Sequence, residues 1–218
     1  MSIIKGNTHF QMGIRDIEQL ENVLSKNHGF RGIAFTGRSN VGKSSLINSL
    51  FGRKTAKTSK TPGRTREINV FTFEVIDKNN KDDIIPYILF DLPGYGHAEV
   101  SKSIAYNWNI LMSAFFSQLS SHVAIINIQD ARHPHQSADQ EFHKFLGKDK
   151  LKTFLIFNKI DKLKNQKDRS KFQKAKKELR QEYKWINQLL SVSAESKEGL
   201  DTLEKLITDH CLDNLSSD

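Results

Sequence analysis

Short apolar runs alternate along this chain with longer segments in which apolar residues recur every three or four positions. Residues 32–36 (GIAFT), 122–128 (HVAIINI) and 153–157 (TFLIF) are apolar nearly throughout, the pattern of strands buried on both faces. Residues 69–76 and 84–92 are rich in β-branched and aromatic side chains, and the polar stretch 77–83 (DKNNKDD) between them reads as a turn. Residues 189–192 form a shorter strand candidate. Helical periodicity covers 44–51, 101–119, 136–146, 169–183 and 200–211. Within 101–119, Trp108, Leu111, Met112 and Phe115 share a face that reads as a core face rather than a membrane helix. Strand alternating with helix predicts an α/β fold, a three-layer sandwich whose central sheet is mostly parallel with helices on both faces. The hairpin-like pair before Asp91 predicts one antiparallel strand. Ligands of such a sheet bind at the C-terminal ends of its strands.

The candidate chemistry sits at those ends. Gly37-Arg38-Ser39-Asn40-Val41-Gly42-Lys43-Ser44, continued by Ser45, matches G-x-x-x-x-G-K-[ST] between a strand and a helix. This is the phosphate loop of P-loop NTPases: the glycines let backbone N–H groups curl around a β-phosphate, and the helix aims its positive end at the same anion. Lys43 is expected to neutralise β/γ-phosphate oxygens, and the Ser44 hydroxyl to ligate Mg²⁺. Asn158-Lys159-Ile160-Asp161 follows TFLIF. A carboxylate there accepts both guanine N1–H and N2–H₂, whereas adenine would leave it desolvated and unpaired. Asn158 is expected to tie this loop to the phosphate loop, and the Lys159 stem to lie over the base. Val192-Ser193-Ala194 stands where a backbone N–H could meet guanine O6. Asp91-Leu92-Pro93-Gly94 is D-x-x-G at another strand end, with Asp91 expected to hold a Mg²⁺-bound water and the Gly94 amide to reach a γ-phosphate. The polar segment 54–67, containing Gly63, Arg64, Thr65, Arg66 and Glu67, is the expected first switch loop. Thr65 is the candidate second Mg²⁺ ligand, with Thr61 as the alternative.

GRSNVGKSSLIN, TSKTPGRTREIN, DLPGYGHAEV and DARHP, in this order, resemble the EngB family of bacterial GTPases, of the Era/TrmE-like branch. The resemblance runs from about residue 8 to about residue 208. It implies a Ras-like G domain over 30–210, with 1–29 an N-terminal extension packed on it and 211–218 a tail. It further implies a GTP/GDP switch that hydrolyses GTP, assists assembly of the large ribosomal subunit through rRNA and proteins, and is linked to cell division and septation. Mg²⁺ would sit on Ser44 and Thr65. Related enzymes use an Asn at the position of Asn40 to help hold K⁺ beside the phosphates; the alternative is that Asn40 only braces the loop. Lys43, Thr65, Gly94 and Asn40 are then the candidate catalytic set. Tyr95 stands where Ras-like enzymes carry the water-orienting Gln, so Gln-type catalysis is not expected and slow intrinsic hydrolysis is. The chain departs from the family in Asn158, where many relatives have Thr, in His97, where an aromatic is common, and in Ser193-Ala194 for Ser-Ser. None of these touches phosphate chemistry.

Charge then narrows the partners. The 218 residues carry 33 Lys and Arg against 25 Asp and Glu, a net +8. That balance favours polyanions such as RNA or an anionic membrane surface, and the run from Lys159 to Lys184 is the candidate rRNA face or simply a solvated helix. One cysteine, Cys211, excludes an intramolecular disulfide, and no apolar run approaches the roughly 20 residues that span a bilayer. A cytoplasmic monomer without membrane insertion is expected. His133-Pro134-His135 reads as loop or packing histidines, and Asp130 with Arg132 as a structural ion pair. A GTPase acting on division or RNA-modifying partners stays open beside the ribosomal reading. A plain RNA-binding module with a vestigial site is disfavoured by the intact Lys43, Ser44, Asp91 and Asp161.

Overall fold

In the computed structural model, residues 2–25, 31–56, 67–76, 84–96, 102–149 and 151–213 are described. Among them eight strands form one sheet: β1 (Ser2–Ile3), β2 (His9–Ile14), β3 (Gly32–Gly37), β4 (Ile68–Ile76), β5 (Ile84–Asp91), β6 (Val123–Asp130), β7 (Thr153–Asn158) and β8 (Gln188–Ser191). Their order is β1-β4-β5-β3-β6-β7-β8, with β2 also paired to β4. β3 pairs in parallel with β5 and β6, and β6, β7 and β8 continue in parallel. β4 is antiparallel to each of its neighbours, so it alone runs against the other seven. The expected single reversed strand is therefore present.

The runs that read as doubly buried are so: every residue of β3, β6 and β7 is buried. Alternation sends Ile33 and Phe35 to one face, against α2 (Lys43–Phe51) and α6 (Leu200–Asp213), where Leu46, Phe51, Leu203 and Ile207 fill the layer. Ala34 and Phe90 face the other side, against α1 (Ile17–Ser25), α3 (Lys102–Gln118) and α4 (Ser137–Asp149). Leu155 and Phe157 meet Phe172 and Leu179 of α5 (Gln166–Glu182). Burying each such side chain contributes about 1.5–3 kcal/mol. Leu111, Met112 and Phe115 of α3 are core residues and Trp108 packs against them.

The N-terminal segment joins the sheet itself: β1 and β2 lie one after the other along β4, β1 opposite residues 75–76 and β2 opposite 68–72, with a register shift between Phe10 and Met12. α1 follows with a cap that Asp16 supplies, its carboxylate accepting the Gln19 N–H at 2.9 Å. At the other end α6 runs to Asp213 and buries Cys211. Among the described residues no helix is long and apolar enough to cross a membrane.

Two buried histidines make stability depend on pH. His210 of α6 lies 3.1 Å from the Gly32 carbonyl and 3.2 Å from that of His122, pinning the starts of β3 and β6. Burial, with the Lys152 charge nearby, pulls its pKa down to about 4, and burial beside His135 does the same for His143. Above the unfolded value of about 6.5 neither state is protonated and the histidines cost nothing. As pH falls towards 4 the unfolded chain takes up protons that the fold refuses, costing about 2 kcal/mol per histidine at pH 5. Urea unfolding at pH 7 and pH 5 is expected to show this loss, and His143→Gln to flatten the slope.

Candidate functional site

The parallel register brings three loops to one edge. Phe35 of β3 stands opposite Asp91 and Gly37 opposite Ile128, while Asp130 stands opposite Asn158. The phosphate loop, D-x-x-G and N-K-x-D therefore leave the sheet side by side.

Gly42 enters α2 at φ 92°, and a Cβ on it would lie 2.4 Å from Asn158 Nδ2, so backbone conformation and space both require glycine. α2 starts without a side-chain cap, leaving its first N–H groups to an anion. Lys43 at the first turn pairs with the Asp91 carboxylate, which is only 4% exposed. Ser44 lies beside it on the same turn, half-buried, while Asn40 and Ser45 are exposed and Val41 is packed into the core.

The D-x-x-G turn runs along the phosphate loop. Leu92 N–H donates to Phe35 O at 3.0 Å and Tyr95 N–H to Gly37 O at 3.3 Å, and Tyr95 O accepts from Ser39 N–H at 3.4 Å. Leu92 and Pro93 are buried. A Cβ on Gly94 would stand 3.2 Å from Ser39 Oγ and 3.3 Å from Gly37 O, a closeness that glycine permits without displacing the loop.

The base-side loops are tied to the same structure. Asn158 Nδ2 donates to Val41 O at 3.0 Å, and its Oδ1 accepts the Ala194 N–H at 3.1 Å. Ala194 N–H, the candidate guanine O6 donor, is thus engaged by Asn158. Lys159, at φ 67°, reaches Asn40 O and, at 2.9 Å, Asp130 Oδ2. Asp130 also accepts from the Arg132 guanidinium at 2.7 Å. Burial pushes its pKa up, but hydrogen bonds from Arg132 and Lys159 outweigh it and hold the carboxyl at about 2. Ile160 N–H bonds Val192 O at 3.3 Å. Asp161 accepts from Ser193 Oγ at 2.6 Å and faces Lys162 at 3.0 Å. The Ser193 hydrogen bond, followed by Lys162, lowers its pKa, so the carboxylate stays an ionised acceptor further into the acid range.

Other expected residues fall elsewhere. Gly63, Arg64, Thr65, Arg66, Thr61 and His97 lie outside the described residues. The Glu67 carboxylate meets Arg15 of the N-terminal segment at 2.7 Å. Arg38 turns from the phosphate loop to α4, where its Nε lies 3.0 Å from both oxygens of Asp139. Tyr95 points the same way: it is 6% exposed, its ring stacks on Phe142 with centroids 4.4 Å apart, and its hydroxyl donates to Asp139 Oδ1 at 2.9 Å. Burial, then the Asp139 charge, drives its pKa upward. Asp139 and the Ser193 hydroxyl were not legible in the sequence: each acts through another residue, and no spacing rule connects residue 38 to residue 139. His135 packs against Tyr183 and His143.

This edge can cradle a phosphate chain on backbone N–H groups and present an ionised carboxylate to a purine. Residues 32–159 match a family whose description reads 50S ribosome-binding GTPase. The chain is 41% identical over 175 residues to the probable GTP-binding protein EngB of Prosthecochloris aestuarii, covering 80% of this chain and 84% of that protein. It is 40% identical over 205 residues to the EngB protein of Campylobacter jejuni (strain RM1221), covering 91% and 94%. The chain belongs to the EngB family of GTPases.

A crystal structure of a probable GTP-binding protein engB shares the fold, with a TM-score of 0.61 at 24% identity over 84% of this chain and 99% of that one. A tyrosine-to-alanine variant of Aquifex aeolicus Era bound to GDP·AlF4⁻ gives 0.66 at 23% identity over 82% of this chain, which spans 56% of the Era chain. As an EngB GTPase the chain binds GTP and hydrolyses it. The two Asn158 bonds tie its own loop to the phosphate loop at Val41 and to the turn after β8 at Ala194, each at about 1 kcal/mol net. Asn158→Ala is expected to weaken GDP binding about 30-fold, read by fluorescence titration.

Proposed function

We propose that this EngB GTPase is a GTP-dependent switch that assists assembly of the large ribosomal subunit, and that normal division and septation depend on it through ribosome supply. The observation that carries this reading is the match of residues 32–159 to GTPases described as 50S ribosome-binding. A cytoplasmic monomer fits the role, with β1 and β2 of the N-terminal segment built into the sheet of one G domain and α6, which runs past the expected boundary at 210 to Asp213, packed in its core. In the nucleotide complex the 37–45 loop would wrap the phosphates, Lys43 would neutralise β/γ oxygens, the Gly94 amide would meet the γ-phosphate and Asp161 the guanine edge.

The residues present suit Mg²⁺. Ser44 and the Asp91 carboxylate are oxygen donors that the Lys43–Asp91 pair brings to the first turn of α2, and hard oxygen ligands are what this ion takes. Ser44 and Thr65 would hold it, with Asp91 acting through water. The ion supplies positive charge against that which develops on the phosphates. K⁺ beside Asn40 would add more; equal turnover in KCl and NaCl would remove that part of the reading.

The surface proposed to meet rRNA is α5, which exposes Lys167, Lys171, Lys174, Lys177 and Arg180. Phosphate backbone is the matching partner for such a stripe, and its attraction is salt-dependent. The alternative, a GTPase acting directly on division or RNA-modifying partners, predicts no affinity for ribosomal subunits.

Co-sedimentation with purified large subunits separates the two. Retention with a non-hydrolysable GTP analogue and release with GDP is the expected result. Replacing Lys167, Lys174 and Lys177 by Glu should weaken retention and lower the slope of log affinity against log salt by about 1 for each phosphate that is no longer neutralised. No retention in either nucleotide state, with GTP binding intact, overturns the ribosomal reading.

A further inference from the structure

The Arg38–Asp139–Tyr95 cluster has no place in phosphate or base recognition as described above, yet it joins both phosphate-side loops to a third element. Asp139, at the start of α4, is wholly buried. Its Oδ1 accepts the Tyr95 hydroxyl at 2.9 Å, both its oxygens lie 3.0 Å from Arg38 Nε, and its Oδ2 caps the Gln136 N–H at 2.9 Å. Arg38 adds a bond to His133 O at 2.9 Å. Tyr95 accepts in turn from Asn127 Nδ2 of β6 at 3.0 Å, and Asn127 Oδ1 lies 3.1 Å from His143 Nε2 of α4. A buried carboxylate is tolerated when it is paired and hydrogen-bonded, and this one takes its partners from the two loops that must bracket a γ-phosphate.

We propose that Asp139 is a positioning residue for GTP hydrolysis. By holding Arg38 of the phosphate loop and Tyr95 of the D-x-x-G turn on one carboxylate, it fixes the spacing at which the Gly94 amide faces the phosphate loop. Two features make that spacing sensitive. The backbones of Arg38 and Tyr95 form a parallel β-bridge, and Gly94 approaches the loop so closely that an added Cβ would meet Ser39 Oγ at 3.2 Å. Tyr95 therefore serves hydrolysis from the position of the water-orienting Gln without touching water: its hydroxyl anchors the turn from behind. The α-helical end of the device is α4, so displacement of the turn by the γ-phosphate is felt at the start of that helix. GDP lacks the γ-phosphate that the Gly94 amide would meet, so its affinity should be indifferent to the Tyr95 hydroxyl's hold on the D-x-x-G turn. The inference rests on GTP hydrolysis by this family and is independent of the ribosomal reading.

Tyr95→Phe, Asp139→Asn and the double variant of the full chain test it. The measurements are affinities for fluorescently labelled GDP and for a labelled non-hydrolysable GTP analogue, and single-turnover GTP hydrolysis. Tyr95→Phe keeps the ring on Phe142 and removes only the hydroxyl. It is expected to slow hydrolysis on the order of tenfold and to lower the preference for the analogue over GDP about fivefold, with GDP affinity held within about twofold. The double variant should be no worse than Asp139→Asn, because the two residues act as one unit. Should Asp139→Asn fail to fold, Tyr95→Phe alone decides. Unchanged hydrolysis and nucleotide preference in folded Tyr95→Phe, equal losses for GDP and analogue, or multiplying losses in the double variant would each overturn the proposal.

Discussion

The parallel pairing of β3 with both β5 and β6 is the constraint on which the site depends. β3 is apolar and buried on both faces, so its register is fixed by packing from two helix layers at once. Parallel neighbours end at the same edge. Once Phe35 is opposite Asp91 and Gly37 opposite Ile128, the phosphate loop and D-x-x-G must emerge together. β7 then brings Asn158 level with Asp130. The site is a consequence of strand register before it is a matter of side chains.

Side chains convert that proximity into geometry. Lys43 with Asp91, Lys159 and Arg132 with Asp130, and Arg38 with Asp139 are cation–carboxylate contacts whose carboxylates are buried. In such surroundings a broken pair costs far more than an exposed one, because the remaining charge stays desolvated. Asn158 does the same for neutral groups, committing its amide to Val41 O and Ala194 N–H. The three loops are thus held by contacts that fail steeply rather than gradually, as recognition of a nucleotide's phosphates and base in one rigid arrangement requires.

Much of this was legible in the sequence, and the exceptions have physical causes. The apolar runs at 32–36, 122–128 and 153–157 and the helical periodicities match β3, β6, β7 and the helices that follow, within a few residues at their ends, because long buried elements carry their pattern in every residue. β1, β2 and α1 were not expected as elements. β2 exposes His9, Phe10, Gln11 and Met12, so no alternation marks it; it is a strand because β4 offers it an edge. α1 did leave a signal, Asp16 followed three residues later by Gln19, the acceptor-and-reply spacing of a helix start. Arg38 reads as a loop residue in the phosphate motif, and its partner Asp139 is set by tertiary structure alone. Ser193 shows the same limit: its position after β8 suggests backbone chemistry, while its hydroxyl orients Asp161.

An ionised Asp161, held by Ser193 at the shared edge, is the group proposed to make the site one for guanine. Affinity for GDP and for xanthosine diphosphate, measured on the wild type and on Asp161→Asn, tests it most directly. Xanthine replaces the guanine 2-amino donor with a carbonyl acceptor, which an Asn amide can satisfy and a carboxylate cannot. The variant is expected to lose GDP affinity by at least about 100-fold and to gain affinity for xanthosine diphosphate. Unchanged affinity for both nucleotides would mean that Asp161 does not read the base.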